Sequence, residues 1–99
     1  MNPQQPQPTK FQLSTTADYR ENYANSVQVR VSLWDFFLTF GTLQQHTPDT
    51  VDIRNFQGLF LSPQQAKALA NVLQQNINQY ENTFGPIKLE PQSPGNVLQ

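Results

Sequence analysis

The residue in this sequence best suited to acid–base catalysis or metal binding is the single histidine, His46. It stands beside Thr47-Pro48-Asp49, in a polar stretch that predicts a loop. One imidazole without a second histidine, a cysteine or clustered carboxylates does not make a metal site. As a general base it could work with Ser32 or Asp35, but nothing in their spacing brings these residues together. We therefore interpret His46 as a solvated loop residue.

The acidic residues and the glycines also lack the groupings that chemistry needs. The four glycines are too dispersed to form a phosphate-binding loop. No carboxylate pair is typical of a glycosidase or a metal cluster, and Asp35 is expected to help fix a turn. The acidic residues are Asp18, Glu21, Asp35, Asp49, Asp52, Glu81 and Glu90. The sequence therefore predicts no enzyme, no catalytic residue, no cofactor and no metal.

The overall composition restricts the possible partners and the compartment. Six basic and seven acidic residues give a net charge of −1. A net negative charge does not favour electrostatic binding to a phosphate backbone, so a nucleic-acid partner is not expected. The chain has no cysteine, which excludes disulfides and thiolate zinc sites. With no secretory signal and no apolar run of membrane-spanning length, we expect a cytoplasmic protein without a membrane partner.

The two ends of the chain differ in composition from its centre. Residues 1–18 form a Pro/Gln-rich arm, which we expect to be disordered because it offers little apolar surface to bury. Residues 88–99 hold prolines and a glycine and predict a flexible tail. Residues 19–87 remain for a single domain. A domain that small has little stability in reserve, because its surface-to-volume ratio limits apolar burial.

Alternating apolar residues predict two neighbouring strands. Residues 24–33 and 35–43 each show the period of two that marks a strand with one buried face. The turn between them is predicted at Ser32–Asp35. Phe37 and Thr39 should point away from the shared apolar face. That face comprises Val27, Val29, Val31, Leu33, Phe36, Leu38 and Phe40.

A third strand is predicted at residues 50–61, after a loop at Gly41–Thr50. Val51 and Ile53 should join the shared apolar face. The glycine in residues 55–58 indicates a bend or bulge within the strand. Phe11–Leu13 could add a fourth strand at the edge of this antiparallel meander.

One long amphipathic helix is predicted at Pro63–Thr83. Ser62 is the expected N-cap, Pro63 occupies the first helical position, and Gln65 could close a capping box. Gly85 before a proline predicts the end of the helix. The apolar stripe recurs every three or four residues at Ala66, Leu69, Leu73, Ile77, Tyr80 and Phe84. The predicted fold class is therefore α+β, a three-stranded, possibly four-stranded, meander followed by one C-terminal helix.

The number of apolar surfaces predicts self-association. One helix covers one face of a small sheet, and large aromatic residues on the second face need another cover. A symmetric homodimer is the commonest assembly that supplies one. The alternatives are that scattered surface aromatics need no partner, or that they stack nucleic-acid bases. The predicted interface is Trp34, Phe37, Phe56, Phe60, Ala68 and Val72.

Several short motifs resemble one small prokaryotic family, the domain of unknown function three-four-six-seven. The resemblance runs from Tyr23 to Ile87 and leaves the termini outside. The motifs are Tyr23-Ala24-Asn25, Asp35-Phe36 with Phe40, Leu61-Ser62-Pro63, Ala66-Lys67, Leu73, Asn76-Ile77, Tyr80-Glu81 and Phe84-Gly85-Pro86-Ile87. The resemblance implies a prokaryotic cytosolic protein with no established activity and no catalytic residues. Within these motifs, Tyr80 and Phe84 should anchor the helix on the sheet, and Glu81 could bond a neighbouring turn.

Our leading functional interpretation is a non-enzymatic homo-oligomeric binding or adaptor module with a possible protein or peptide partner. The order of elements also resembles that of the bacterial export chaperones, although fold does not imply function. The first alternative is therefore a chaperone-like protein that holds extended apolar peptides. The second alternative is a weak nucleic-acid binder.

Overall fold

A computed structural model describes residues 8–89 and confirms the predicted fold class. Three strands, β1 (Ser26–Val31), β2 (Phe36–Thr47) and β3 (Thr50–Leu61), precede one helix, α1 (Pro63–Phe84). The strands form an antiparallel meander in the order β1-β2-β3. The bounds of β3 agree with the predicted strand, and α1 extends one residue beyond the predicted helix.

The turn between β1 and β2 lies at the predicted position and is held by Ser32. The Ser32 hydroxyl oxygen accepts hydrogen bonds from the backbone N–H groups of Trp34 and Asp35, each at 3.1 Å. The Ser32 N–H donates to the Asp35 carbonyl oxygen at 2.9 Å. The Ser32 hydroxyl also lies 3.1 Å from the Asp35 carboxylate. These bonds confirm that Asp35 helps to fix the turn.

The loop predicted at Gly41–Thr50 is wrong, because β2 continues through it as far as Thr47. Thr42 and Leu43 pair with Arg54 and Ile53, so the ladder extends well past the glycine. Only Pro48-Asp49 separates the two strands. Polar residues in a pairing strand have the composition of a loop, which explains the error.

A bulge in β3 lies within the predicted residues 55–58. Phe40 pairs with Gln57 and Gly41 with Asn55, so Phe56 is the extra residue. An inserted residue reverses which side of the sheet the rest of the strand faces.

Because of the bulge, the predicted side of the sheet for Val51 and Ile53 is wrong. Val51 and Ile53 pair with Gln45 and Leu43, which are odd-numbered positions of β2. They therefore share the side of Phe37 and not the apolar face to which the uninterrupted alternation assigned them.

Helix α1 begins and ends as predicted, but only its first turns have half-buried apolar residues. The Ser62 hydroxyl oxygen accepts a hydrogen bond from the Gln65 N–H at 3.1 Å, and Gly85 adopts a φ of 106°. Ala66 and Leu69 are half-buried in the first two turns, which contact β3. All residues from 71 to 80 are exposed.

The prediction that Tyr80 and Phe84 anchor the helix on the sheet is therefore wrong. Tyr80 is 50% exposed and Phe84 is 73% exposed. Only Ser62 separates β3 from α1, so the helix starts where the sheet ends. Its later turns are exposed from residue 71 to residue 80.

Residues 8–25 contain neither helix nor strand, so the fourth strand predicted at Phe11–Leu13 is wrong. Phe11 and Leu13 are among the most exposed apolar residues described. A three-residue strand gains too few hydrogen bonds to offset the entropy lost on ordering. The predictions of a disordered arm at 1–18 and a tail at 88–99 fall partly outside the described residues.

The part of the chain that the structure describes has no apolar core. None of its apolar side chains is buried, and Ser26, at 2% exposure, is the only buried polar residue there. The side chains of β2 from Phe36 to Phe40 are half-buried at best. Hydrophobic burial is the main favourable term in folding, so this chain alone leaves that term largely unused.

Candidate interaction surface

Two aromatic rings and a guanidinium form a cluster on one side of the sheet. The ring centroids of Phe37 and Phe60, a cross-strand pair, lie 4.4 Å apart. The Arg30 guanidinium lies 4.8 Å from the Phe37 ring centroid, within cation–π distance. A Cβ atom on Gly58 would lie 2.8 Å from the Phe37 ring, so the glycine leaves room for it. We call Arg30, Phe37 and Phe60 the aromatic face.

An open groove of about 610 Å³ runs beside the aromatic face. Phe37 and Arg30 line one part of it, and the bulge residue Phe56 lines another. Amide side chains such as Gln28 and Gln57 supply most of the remaining polar wall. The groove combines apolar rings with hydrogen-bonding groups, as binding surfaces for extended peptides do.

The turn between β1 and β2 presents two large apolar side chains to solvent. Trp34 is 79% exposed and its neighbour Leu33 is similarly exposed. The hydrogen bonds of Ser32 hold this turn, so the exposed pair sits on an ordered tip.

The opposite side of the sheet carries a continuous apolar surface, which we call the aliphatic face. Val31 on this face is 65% exposed, and Val27 and Leu59 are also exposed. Pairing from Val27–Phe40 to Val31–Phe36 sets these residues side by side. The aliphatic face comprises Val27, Val29, Val31, Phe36, Leu38, Phe40, Leu59 and Leu61.

The later turns of α1 carry a second unpartnered apolar surface. We call Leu73, Ile77, Tyr80 and Phe84 the helix stripe, and all four are exposed. They continue the stripe that Ala66 and Leu69 begin, because they recur at the same helical spacing. Within the described residues, α1 is exposed from residue 71 to residue 80, so the sheet of the same chain does not bury this part of the stripe.

The predicted interface residues do not form one contiguous patch. The structure brings Phe37 and Phe60 together, with Phe56 on the adjoining groove. Trp34 lies at the turn, and Ala68 and Val72 are exposed on α1 outside the helix stripe. Their role in an interface stays a prediction.

The sequence interpretation missed the place of Arg30 on this surface. Its position in β1, two residues from Gln28 and opposite Phe37, puts it on the aromatic face. The alternation of β1 already carried that signal, but only the strand register identifies Phe37 as its neighbour.

A local network at the end of α1 gives Glu81 a structural role. The Glu81 carboxylate accepts a hydrogen bond from the Ile87 N–H at 2.8 Å. Its carbonyl oxygen accepts one from the Gly85 N–H at 2.9 Å. Tyr80 and Phe84 stack with ring centroids 4.9 Å apart. The expected bond between Glu81 and a neighbouring turn is confirmed.

His46 lies in β2, so its predicted place in a loop is wrong. Its Nε2 atom lies 2.6 Å from the Asp52 carboxylate, and both side chains are about half exposed. Ser32 and Asp35 lie before the other end of the strand, about 35 Å away at the usual rise per residue. His46 therefore cannot act on either of them within one chain.

The remaining titratable groups with a resolved shift lie in residues 8–25. A hydrogen bond from the Thr16 hydroxyl lowers the pKa of Asp18. The hydrogen bond between Tyr19 and Glu21 raises the pKa of the Tyr19 phenol. Both groups are exposed, so these local bonds do not define a reactive site.

Two searches for other kinds of site gave no candidate within residues 8–89. No group of three or more His, Cys, Asp or Glu residues there could hold a metal ion. No helix in this range has the length and apolar character needed to cross a membrane.

Comparisons with known proteins identify a family without an assigned activity. No curated protein and no solved structure matches the chain. The family model for protein of unknown function DUF3467 matches residues 1–89. The match includes the N-terminal arm, so the expectation that this arm lies outside the resemblance is wrong. The motifs that we recognised cluster in the strands and helix, which explains the shorter resemblance. The chain therefore belongs to the DUF3467 family.

Proposed function

We propose that this chain is a non-enzymatic binding or adaptor module that acts as a homo-oligomer. The observation that carries the proposal is that residues 8–89 bury no apolar side chain. A domain of this size needs most of its apolar burial to offset the entropy of folding. A second copy supplies that burial, and symmetric dimers are the commonest way to do so.

The distribution of polar groups supports binding over catalysis. His46 and Asp52 contact one another on the surface, far along β2 from Ser32 and Asp35. No general base therefore has a nucleophile within reach among these residues. The motif that ends at Phe84-Gly85-Pro86 supports a prokaryotic, cytoplasmic protein within the same proposal.

The aromatic face and its groove are the proposed site for a protein or peptide partner. Phe37, Phe60 and the exposed Trp34 offer rigid apolar contact area at low entropic cost. Arg30 adds one cation, which favours a partner segment with an acidic residue among apolar ones.

The first experiment measures the molar mass in solution by size-exclusion chromatography with light scattering over a concentration series. We expect a dimer or larger assembly, and a thermal midpoint that rises with protein concentration. A folded monomer at every concentration, with a concentration-independent midpoint, would contradict the homo-oligomer.

The open groove also favours a second candidate, a chaperone-like protein that holds extended apolar peptides. The test measures how the protein suppresses aggregation of an unfolded client, with Phe60→Ser compared against the control Gln44→Ser, an exposed β2 residue outside the groove. The chaperone predicts suppression that Phe60→Ser weakens and Gln44→Ser preserves. No suppression at molar excess would remove this candidate and leave the adaptor.

Nucleic-acid binding has weaker support. The net charge is −1, and the Arg30 guanidinium already lies over the Phe37 ring. Binding that is present at low salt and lost at physiological salt would be non-specific charge contact.

A further inference from the structure

The helix stripe continues a contact that the sheet of the same chain only begins. Ala66 and Leu69 are half-buried in the turns that contact β3. Leu73 is 51% exposed one turn later, and Phe84 at the far end is the most exposed residue of the stripe. One uninterrupted apolar stripe is therefore half-buried at its start and exposed along the rest of its length in the single chain.

The aliphatic face is an apolar sheet surface that lacks a complete helical cover. On this face, Val27, Val31 and Leu59 are exposed in the single chain. An apolar sheet face and an apolar helix stripe are the two surfaces that α+β proteins pack together.

We propose that the helix stripe of one copy covers the aliphatic face of a second copy, and that the second copy does the same in return. This inference rests on the proposed homo-oligomer and specifies its interface. It describes a two-fold symmetric dimer in which each copy exchanges the later turns of α1 for those of the other.

The dimensions of the two surfaces agree. The helix stripe runs over twelve residues from Leu73 to Phe84, and the eleven steps between them span roughly 17 Å at the α-helical rise. The six residues of β1 span roughly 17 Å at the rise of a strand. One stripe therefore matches the length of the three-stranded part of the sheet.

Charge selects the aliphatic face over the aromatic face as the partner of the stripe. The helix has two charged residues, Lys67 and Glu81, and both lie outside the stripe. On the three-stranded part of the sheet, the side of the aliphatic face carries no charged side chain, and Arg54 and Asp52 lie on the same side beyond the bulge. Packing the stripe on the aromatic face would bury Arg30 without a carboxylate partner, which is unfavourable because the guanidinium would lose its hydration. The uncharged pair of surfaces avoids that cost.

The exposed area is sufficient for a stable interface. The four residues of the helix stripe and Val27, Val31 and Leu59 are exposed large apolar side chains. At on the order of 100 Å² for each half-exposed large side chain, these seven give about 700 Å² per copy. Stable interfaces bury roughly 600–1,000 Å² per partner.

This arrangement leaves the aromatic face open. Phe37, Phe60 and Arg30 lie on the other side of the sheet from the partner's helix. The dimer contact and the proposed partner site therefore occupy opposite sides of one sheet, and a variant can disturb either one alone.

Cross-linking between single-cysteine variants tests the inference in the full chain. The chain has no cysteine, so each covalent product identifies the two engineered positions. Ile77→Cys and Leu38→Cys, which differ in an affinity tag, are unfolded, mixed and refolded together before treatment with a short bis-maleimide. We expect a covalent mixed dimer several-fold above the product of either variant alone. Thr39→Cys, on the side of the aromatic face, replaces Leu38→Cys as the matched control and should give little product.

Each other outcome overturns the inference, and light scattering on the same samples locates the fault. Product from Ile77→Cys alone would mean that the helices pair with one another. Product with Thr39→Cys in place of Leu38→Cys would mean that the stripe covers the aromatic face. Dimers that give no cross-link would place the interface elsewhere. All three leave the homo-oligomer standing, whereas a monomer before cross-linking removes both proposals.

Discussion

The ends of α1 find their hydrogen-bond partners within one chain, whereas the apolar stripe between them is left exposed in that chain. At the start, the Ser62 hydroxyl satisfies the Gln65 N–H, and at the end Glu81 and Gly85 satisfy the last turn. Between them, Leu73 and Ile77 are exposed in the single chain. The ends are local structures, whereas the stripe requires a second surface.

This difference shows what the regular spacing of apolar residues in a sequence can and cannot predict. Spacing of three or four residues reports which side of a helix is buried in the assembled protein. It does not report which chain supplies the cover. Caps depend on residues a few positions apart, so they form whether or not the assembly does.

The largest effect should come from a charge placed in the stripe. Ile77→Asp puts an unpaired carboxylate on the proposed interface, and burying such a charge costs several kcal/mol. We expect loss of the dimer by light scattering and loss of the cooperative unfolding transition. Gln75→Asp adds the same charge on the opposite side of the helix and should retain both. Equal behaviour of the two variants would show that the stripe is solvated in the assembly.

A smaller truncation sharpens the same comparison. Leu73→Ala should cost about 2–5 kcal/mol of unfolding free energy if the stripe is packed in the assembly. Leu73 is 51% exposed in one chain, so a loss well under 1 kcal/mol would mean that it has no cover. Chemical denaturation at one fixed protein concentration measures the difference. Asn71→Ala, on the polar side of the same turn, is the control and should change little.

The sequence predicted the local elements well because their signals lie within a few residues of one another. Ser62-Pro63 marks the start of α1, and Ser32 and Asp35 mark the turn before β2. The bounds of β3 followed from its apolar alternation on either side of the bulge.

The sequence could not predict features that depend on register or on a distant partner. The polar residues Gln44 and Gln45 resemble a loop until pairing with β3 is known. The extra residue Phe56 moves Val51 to the other side of the sheet, which alternation alone does not indicate. Likewise, the spacing of the apolar residues in α1 does not show that residues 71–80 are exposed in the single chain.

Of the candidate surface, the sequence placed Phe37 on the correct side but did not link it to Arg30. A cross-strand neighbour is defined by register, and the distance between the guanidinium and the ring follows from it. The helix stripe was identified as apolar, but its assignment to the chain's own sheet was wrong beyond Leu69.

The end of α1 should respond independently of the interface. Gly85 has φ 106° and ψ 170°, a backbone conformation that is essentially confined to glycine. Gly85→Ala should therefore lower the unfolding free energy by about 1–3 kcal/mol while the dimer persists. Denaturation and light scattering on the same sample check both parts. Asn82→Ala, within the last turn of the helix, should stay close to the parent; a matching loss there would assign the effect to the helix and not to the glycine.

The start of α1 should give the smallest effect. Ser62→Ala removes the oxygen that accepts the Gln65 N–H at 3.1 Å, and loss of such a cap costs about 1 kcal/mol. Ser62→Asn offers another side-chain oxygen and should restore most of that loss, as measured by chemical denaturation. If both variants unfold like the parent, the start of the helix is fixed by Pro63 and by the packing of Ala66 and Leu69 on β3. The first turns would then depend on tertiary contact as the stripe does, and the contrast between the ends and the stripe would hold only at Gly85.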